Sequence, residues 1–173
     1  MNNRLKLRYL ILEKSLQEQY EIVYSENNKQ LLRHKLLDPS TKEYLSLFRV
    51  GCLLLTLFKR IEILPALNQM DVAYRNKIMP GTKSNKNPDY RIDEKFWELE
   101  QPTYPYNYKK IDQRIRKGYQ QANHLILYFE KPANGFTVQK AIEDRMQINP
   151  ELSEVIVVIK SSIVSHIKRK PGK

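Results

Sequence analysis

Apolar residues near the start of the chain recur at helical spacing. Residues 4–24 carry apolar positions among charged ones, at Leu5, Leu10, Leu12, Leu16, Tyr20 and Val23. This spacing favours an amphipathic helix over a strand. SENNKQ at 25–30 breaks the pattern, and LLRHKLL at 31–37 predicts a further short helical piece. The sequence therefore predicts an N-terminal helical extension over residues 1–38, followed by an α/β domain over residues 39–173.

The clearest helix start in the chain lies at STKE, just after Asp38-Pro39. Ser40 is a candidate N-cap, and Glu43 lies three residues further on, which is the spacing of a capping box. The run from Tyr44 to Phe58 is apolar on most sides. This helix is therefore predicted to be buried.

The rest of the chain alternates short β-branched runs with helical patterns. Strands are predicted at 61–67, 124–130 and 154–160, a hairpin at 87–103, and helices at 107–123 and 137–148. Asn107 is a candidate cap for the first of these two helices. Continuous apolar strands that alternate with helices predict an α/β fold with a mixed central β-sheet flanked by helices.

The predicted hairpin, NPDYRIDEKFWELEQPT, turns at the two polar residues Asp93-Glu94. Pairing outward from that turn sets Asp89 opposite Glu98, with Glu100 next on the same face. Like charges at facing positions are destabilising, and a divalent cation such as Mg²⁺ or Mn²⁺ relieves the repulsion because hard cations bind carboxylate oxygens. The alternative is an ordinary solvated hairpin face, since the register depends on the assumed turn.

Composition adds a strong charge signal. The chain of 173 residues is 41% hydrophobic and 28% charged, as in ordinary globular proteins. Its formal net charge of +11 favours a nucleic-acid partner over a general solubility charge or an acidic protein partner. No apolar run approaches the roughly 18 residues of a membrane span. With no signal-peptide pattern and a lone cysteine, Cys52, a cytoplasmic protein is expected.

Basic and aromatic residues mark a candidate nucleic-acid surface. On the helix after the hairpin, one stripe opposite the apolar face holds Lys110, Arg114, Lys117 and Gln121. The preceding segment interleaves tyrosines with lysines, at Tyr104, Tyr106, Tyr108 and Lys109, and the loop at 68–87 adds Lys83 and Lys86. Such tyrosines can stack on unpaired bases, or they can simply pack the segment against the sheet. His34, His124 and His166 fall on separate elements and are not predicted to be catalytic.

The order of elements over residues 40–129, with Pro88-Asp89 opening one strand and Glu98-Leu99-Glu100 in the next, resembles the PD-(D/E)XK nuclease superfamily. This resemblance implies that Asp89 and Glu98 bind the metal. Glu100 stands where most members of the superfamily carry a lysine that positions the attacking water.

NPDYRIDEKFWELEQPT followed by IDQRIRKGYQQANHLILYFE also resembles the C-terminal toxin nucleases of contact-dependent growth-inhibition systems and related phage and mobile-element nucleases. Several such toxins cleave tRNA, which implies RNA as the preferred substrate over DNA and an immunity or accessory protein as a partner. Some adopt a barnase/EndoU/colicin/RelE-like fold that works without a metal. That version would give Thr103, Lys109 and Arg114 the acid–base and phosphate-holding roles.

These observations predict an endonuclease, with RNA, and tRNA in particular, as its expected substrate. The predicted catalytic residues are Asp89, Glu98, Glu100, Thr103 and Lys110, and the predicted nucleic-acid contacts are Lys83, Lys86, Tyr104, Lys109, Arg114, Lys117 and Gln121. The alternatives are a metal-dependent DNA endonuclease, a non-catalytic binding module with a degenerate site, and an immunity or adaptor protein with an acidic partner.

Overall fold

The computed structural model describes residues 3–83 and 85–169. The chain divides into two compact units, unit 1 (Met1–Glu94) and unit 2 (Lys95–Lys173). In the part of the chain that the structure describes, no helix has the length and apolar character needed to cross a membrane.

Unit 1 combines helices with a mixed set of strands. Its elements are α1 (Asn3–Glu13), a 3-10 turn (Gln17–Gln19), β1 (Tyr20–Glu26), β2 (Lys29–His34), α2 (Lys42–Leu54), β3 (Arg60–Ile63), α3 (Val72–Ile78) and β4 (Tyr90–Ile92). β1 pairs with β2 and β3 with β4 in antiparallel fashion, whereas β2 and β3 are parallel. The crossover between the parallel strands passes through α2, as a parallel connection requires.

The predicted N-terminal helix is correct only as far as Glu13. Residues 20–34, predicted to be helical in large part, instead form the hairpin β1–β2. Its turn is Asn27-Asn28, whose φ angles of 46° and 62° are left-handed, a conformation that asparagine tolerates better than most residues. β2 also pairs with β3, which is distant in sequence, and this pairing stabilises β2 as a strand. The predicted domain boundary between residues 38 and 39 stays a prediction.

Helix α2 is confirmed, with its start shifted by one residue. Thr41, rather than Ser40, is the N-cap, and its Oγ1 accepts a hydrogen bond from the Tyr44 backbone N–H at 3.1 Å. Ser40 instead bonds the side chain of Asp38. The helix packs closely on β2, since a Cβ at Gly51 would lie 2.8 Å from Leu31 Cδ1.

The segment predicted as a polar loop at residues 68–87 contains α3 and is organised by Arg75, which is buried. The Arg75 guanidinium donates to the carbonyl of Leu67 at 3.0 Å and to Oδ1 of Asn87 at 2.9 Å. It also donates to the backbone carbonyls of Lys83 and Lys86. The backbone at both predicted substrate-contacting lysines is therefore held by one buried side chain.

Unit 2 contains β5 (Lys95–Glu100), α4 (Tyr108–Tyr119), β6 (His124–Phe129), α5 (Gly135–Ile148), β7 (Glu154–Ile159) and β8 (Ser162–Lys168). The strands β5, β6 and β7 are parallel neighbours, and β8 runs antiparallel to β7. The predicted elements of this region are confirmed, but β8 was missed. The α/β class is confirmed, because mixed strands and helices occur in both units.

Two faces of the unit 2 strands differ in what they carry. One, called the α4 face here, packs against α4 and α5. Its apolar core comprises Ile111, Ile115, Leu125, Leu127, Phe129, Val138, Ala141, Ile142, Met146, Leu152, Val155 and Val157. Because side chains alternate along a strand, Trp97, His124, Glu154 and His166 point to the other face, the reverse face.

Candidate nucleic-acid interface

The predicted turn between β4 and β5 is present. Asp93 and Glu94 have φ angles of 47° and 61°, the left-handed pair of a type I′ turn, and they separate the two strands as predicted. Asp89 belongs to unit 1, whereas Glu98 and Glu100 belong to unit 2. The predicted opposition of Asp89 and Glu98 therefore stays a prediction.

The face of β5 that carries Glu98 and Glu100 is covered by α4. The alternative from the sequence, a face of the hairpin exposed to solvent, therefore does not apply to β5. A Cβ at Gly118 would lie 2.8 Å from Glu100 Cγ, 2.9 Å from Leu125 Cδ2 and 3.5 Å from Glu98 Cγ. A glycine at this position lets the helix approach the strand closely enough to enclose both carboxylate stems. Glu100 is only 2% exposed as a result.

The buried carboxylate of Glu100 is neutralised from α4. Arg114 Nη1 lies 3.3 Å from its Oε2, and Lys117 Nζ lies 3.3 Å from its Oε1. A buried carboxylate without such partners would be costly, so these pairs are what makes the burial tolerable. The Lys117 side chain is still 61% exposed. Glu100 thus anchors cations that remain open to an anionic ligand.

The cationic stripe on α4 lies beside its apolar face, and not opposite it as predicted. Ile111, Ile115 and Gly118 form the buried face of the helix, and Arg114 and Lys117 flank it on the side of β5. Of the other stripe members, Lys110 and Gln121 are half-buried. The predicted cap is confirmed, because Asn107 Oδ1 accepts a hydrogen bond from the Lys110 backbone N–H at 3.0 Å.

The tyrosines before α4 divide into packed and exposed residues. Tyr106 packs its ring against Phe129, with 5.0 Å between centroids, and its hydroxyl accepts from the Lys131 backbone N–H. Tyr108 donates to Asp144. Tyr104 is exposed, and Lys131 Nζ lies 4.4 Å from its ring centroid. Tyr104, at 61% exposed, is therefore more open to a base than Tyr108, at 38%.

Thr103 and Lys109 are exposed on either side of these tyrosines, and Lys83 is exposed in unit 1. Lys86 is half-buried. Their predicted roles in catalysis and binding stay predictions.

The predicted carboxylates differ in how well each would bind a metal ion. Within residues 3–83 and 85–169, no three His, Cys, Asp or Glu side chains are grouped so as to hold a metal ion. Glu100 fits a metal only in part, because Arg114 donates a hydrogen bond to its Oε2, whereas Oε1 has Lys117 Nζ 3.3 Å away but no hydrogen-bond partner among the described residues. Asp89 and Glu98 are carboxylates, the chemistry that Mg²⁺ and Mn²⁺ prefer.

Sequence reasoning missed a polar cluster on the reverse face of unit 2. The histidines His124 and His166 lie on different strands, and both rings pack near the indole of Trp97. Glu154 joins them through a hydrogen bond with His166. The pairing of β8 with β7 brings these residues together, and no local pattern signals it.

The geometry thus defines an α/β protein with fixed, exposed cations on one helix of unit 2. Residues 86–164 match the model of a family described as "Contact-dependent growth inhibition CdiA C-terminal domain". The match includes β4 and the helices of unit 2 and ends within β8. It supports a toxin-like domain of this kind in that part of the chain, and a nuclease-like function in general. No curated protein and no solved structure matches the chain.

Proposed function

We propose that the protein is an endonuclease that cleaves phosphodiester bonds in nucleic acid, with RNA, and tRNA in particular, as its substrate. The observation that carries the proposal is the placement of Arg114 and Lys117 on a buried Glu100. The family match over residues 86–164 supports a nuclease-like function in general. A toxin-like nuclease of this kind would also have a neutralising immunity protein as a partner.

The α4 cations are suited to hold a phosphate. Anchoring at Glu100 restricts the rotamers of Arg114 and Lys117 before the ligand arrives, so less side-chain entropy is lost on binding. Phosphate contacts position a nucleic acid without reading its sequence. Tyr104, an exposed ring beside Lys131, would stack on an unpaired base. An unpaired base is more available in a tRNA loop than in duplex DNA.

A metal-assisted reaction follows from the sequence resemblance. Asp89 and Glu98 would hold Mg²⁺ or Mn²⁺, and a bound ion of this kind polarises a phosphodiester and lowers the pKa of a bound water. Lys117, which is paired with Glu100, would supply the positive charge at the position where related nucleases have a lysine. Lys110 and Gln121 would extend the phosphate contacts along α4.

A non-catalytic binding module is the second candidate. The ion pairs of Glu100 with Arg114 and Lys117 favour it, because a carboxylate already neutralised in this way is unavailable for chemistry. Such a module would bind RNA with a strong salt dependence and release no product.

The test is an incubation of the purified protein with total tRNA and with plasmid DNA, in Mg²⁺ and in EDTA. Cleavage of tRNA in Mg²⁺ is expected, and Asp89→Ala and Glu98→Ala should each reduce the rate at least about 100-fold. Lys117→Ala should weaken tRNA binding and lower the slope of its salt dependence by about one.

Lys140→Ala is the matched control for Lys117→Ala. Lys140 is also an exposed lysine paired with a carboxylate of unit 2, Asp144, but it lies on α5. This variant should bind and cleave tRNA as the unaltered protein does. Salt-sensitive tRNA binding with no cleavage under any condition would refute the endonuclease and leave the binding module.

A further inference from the structure

Unit 1 lies almost wholly outside the family match, which begins at residue 86. The match therefore assigns no role to the residues before it. Within unit 1, the segment 72–88 reads VAYRNKIMPGTKSNKNP and contains four Lys or Arg and no Asp or Glu. It consists of α3 and the connection that follows, of which residues 79–83 and 85–87 are called the α3 loop here. A segment with this charge suits an anionic ligand.

The α3 loop is held from its inner side by Arg75, whose side chain is buried. The guanidinium donates to the backbone carbonyls of Lys83 and Lys86 and to Oδ1 of Asn87. Asn87 Oδ1 also accepts the Leu67 backbone N–H at 3.0 Å, which ties the end of the loop to the chain before α3. The Lys86 backbone N–H donates to the Lys83 carbonyl at 3.0 Å. The backbone that carries the two loop lysines is therefore fixed by hydrogen bonds before a ligand arrives.

The positive charge of Arg75 is balanced by dipoles and not by a carboxylate. All four of its acceptors are backbone carbonyl or side-chain amide oxygens. Such dipoles make the burial of a cation tolerable, but they leave its net charge in place. Asp71 and Asp89 are the nearest carboxylates along the chain, and Asp71 is paired with Arg8 at 3.0 Å. An anion at the α3 loop would therefore meet the charge of Arg75 together with those of the two loop lysines.

The side chains of the α3 loop suit a phosphate backbone better than a base. Lys83 is exposed and Lys86 is half-buried, and the exposed amide of Asn85 lies between them in the chain. Lysine amino groups bind phosphate oxygens as point charges, without the planar geometry that arginine imposes. The loop has no aromatic residue to stack on a base. Contacts of this kind hold a nucleic acid without reading its sequence.

We propose that the α3 loop is a second phosphate-binding element of the protein, separate from α4. Lys83 and Lys86 hold the backbone of the nucleic-acid substrate, and Arg75 is the positioning residue that fixes both lysines. The inference rests on the proposed function for the nature of the anion, and it gives unit 1 a role in binding. Affinity contributed by the loop depends on salt concentration and not on base sequence.

The test measures binding of tRNA to the full chain by fluorescence anisotropy, in EDTA and at a series of salt concentrations. A variant with both Lys83→Ala and Lys86→Ala should bind about 10-fold more weakly, with a slope of the salt dependence lower by about two. The matched control carries Lys42→Ala and Lys59→Ala. Both of these lysines are exposed in unit 1 outside the α3 loop, so the control loses the same charge. It should keep the affinity and the slope of the unaltered protein.

Arg75→Lys separates a positioning role from a structural one. It keeps a cationic side chain, but a single amino group cannot span the four acceptors of the guanidinium. Binding of tRNA should fall about as far as in the loop-lysine variant. When both loop lysines are already alanine, Arg75→Lys should cause no further loss, because Arg75 acts through them. A loss that is equal in both backgrounds would overturn the positioning role.

Asn87→Ala tests the same role if Arg75→Lys fails to fold, which melting temperatures reveal. This variant removes the oxygen that accepts from both Arg75 and Leu67, without changing the net charge. Binding of tRNA should weaken about 3-fold in the unaltered background and stay unchanged in the loop-lysine background. Unchanged binding in both backgrounds would count against a fixed loop.

Two further outcomes would overturn the inference. Equal affinity and equal salt slope in the loop-lysine variant and in its control would remove the α3 loop from the interface. Cleavage of tRNA by the same preparations would then leave the proposed endonuclease intact, whereas no tRNA binding by the unaltered protein would overturn both. Polyglutamate, a polyanion without phosphate, is the second probe. If the loop-lysine variant loses binding to polyglutamate but keeps binding to tRNA, the loop serves an acidic protein partner instead.

Discussion

The two faces of unit 2 each bury a glutamate among cations, but they do so with different partners. On the α4 face, Glu100 is paired with the guanidinium of Arg114 and the amino group of Lys117. On the reverse face, Glu154 is paired with two lysines and with the imidazole of His166.

The partners of Glu100 and those of Glu154 therefore differ in the hydrogen bonds that they can offer a ligand. The guanidinium and amino group on Glu100 donate hydrogen bonds and accept none, so they suit a surface that binds a phosphate backbone. The imidazoles near Glu154 can accept hydrogen bonds as well as donate them, which the cations on Glu100 cannot do. The contrast also shows that a buried carboxylate does not by itself identify an active site, since its partners decide what it can do.

The close approach of α4 to β5 is the feature of the α4 face that is easiest to break. Gly118→Ala should lower the free energy of unfolding by about 1–3 kcal/mol, because the new Cβ would press on Glu100 Cγ and Leu125 Cδ2. Urea unfolding measures this change. An unchanged midpoint would mean that the helix moves away from β5 freely, and the fixed placement of Arg114 and Lys117 would then lose its support.

Acid should weaken the reverse face through Glu154. Its pKa in the folded protein is lowered from 4.5 to about 2, so the stability from ionised Glu154 is present above pH 4.5 and is lost as the pH falls from there towards 2. Glu154→Gln lacks this contribution. Its free energy of unfolding should therefore fall less steeply than that of the unaltered protein between about pH 5 and pH 2. Parallel curves from chemical unfolding at a series of pH values would contradict the ion pairs at Glu154.

The helix caps offer the smallest and best-matched comparison. Asn107 caps α4 and Asn134 caps α5, each through its side-chain oxygen and the backbone N–H three residues on. Each change to alanine should cost about 1 kcal/mol of stability. Only Asn107→Ala should also weaken tRNA binding, because it loosens the start of the helix that carries Arg114 and Lys117. Equal tRNA binding by the two variants would argue against α4 as the interface.

Local patterns predicted most of unit 2. HLILYF and EVIVVI are continuous apolar runs and form the buried strands β6 and β7. Helix α4 has both its predicted cap and its predicted apolar positions. In these segments the local preference and the tertiary packing agree, so sequence alone was enough.

The same approach failed where an element has little buried surface. β8 reads SIVSHIK and is exposed or half-buried along its length, so it shows no clear alternation. β1 is mostly exposed beyond Tyr20, and its residues resembled a polar helix. α3 has seven residues, too few for a periodic pattern. Pairing within the hairpins β7–β8 and β1–β2 holds the two strands in place, although their own side chains show no clear buried face.

The sequence by itself determined the α/β class, the turn at Asp93-Glu94 and the cationic character of α4, because these depend on residues near one another in the chain. Only the tertiary structure decided that Glu100 is buried against Arg114 and Lys117, and that His166 meets Glu154 beside His124. Both arrangements arise where separate strands and helices pack side by side, and burial there turns ordinary surface charges into fixed pairs.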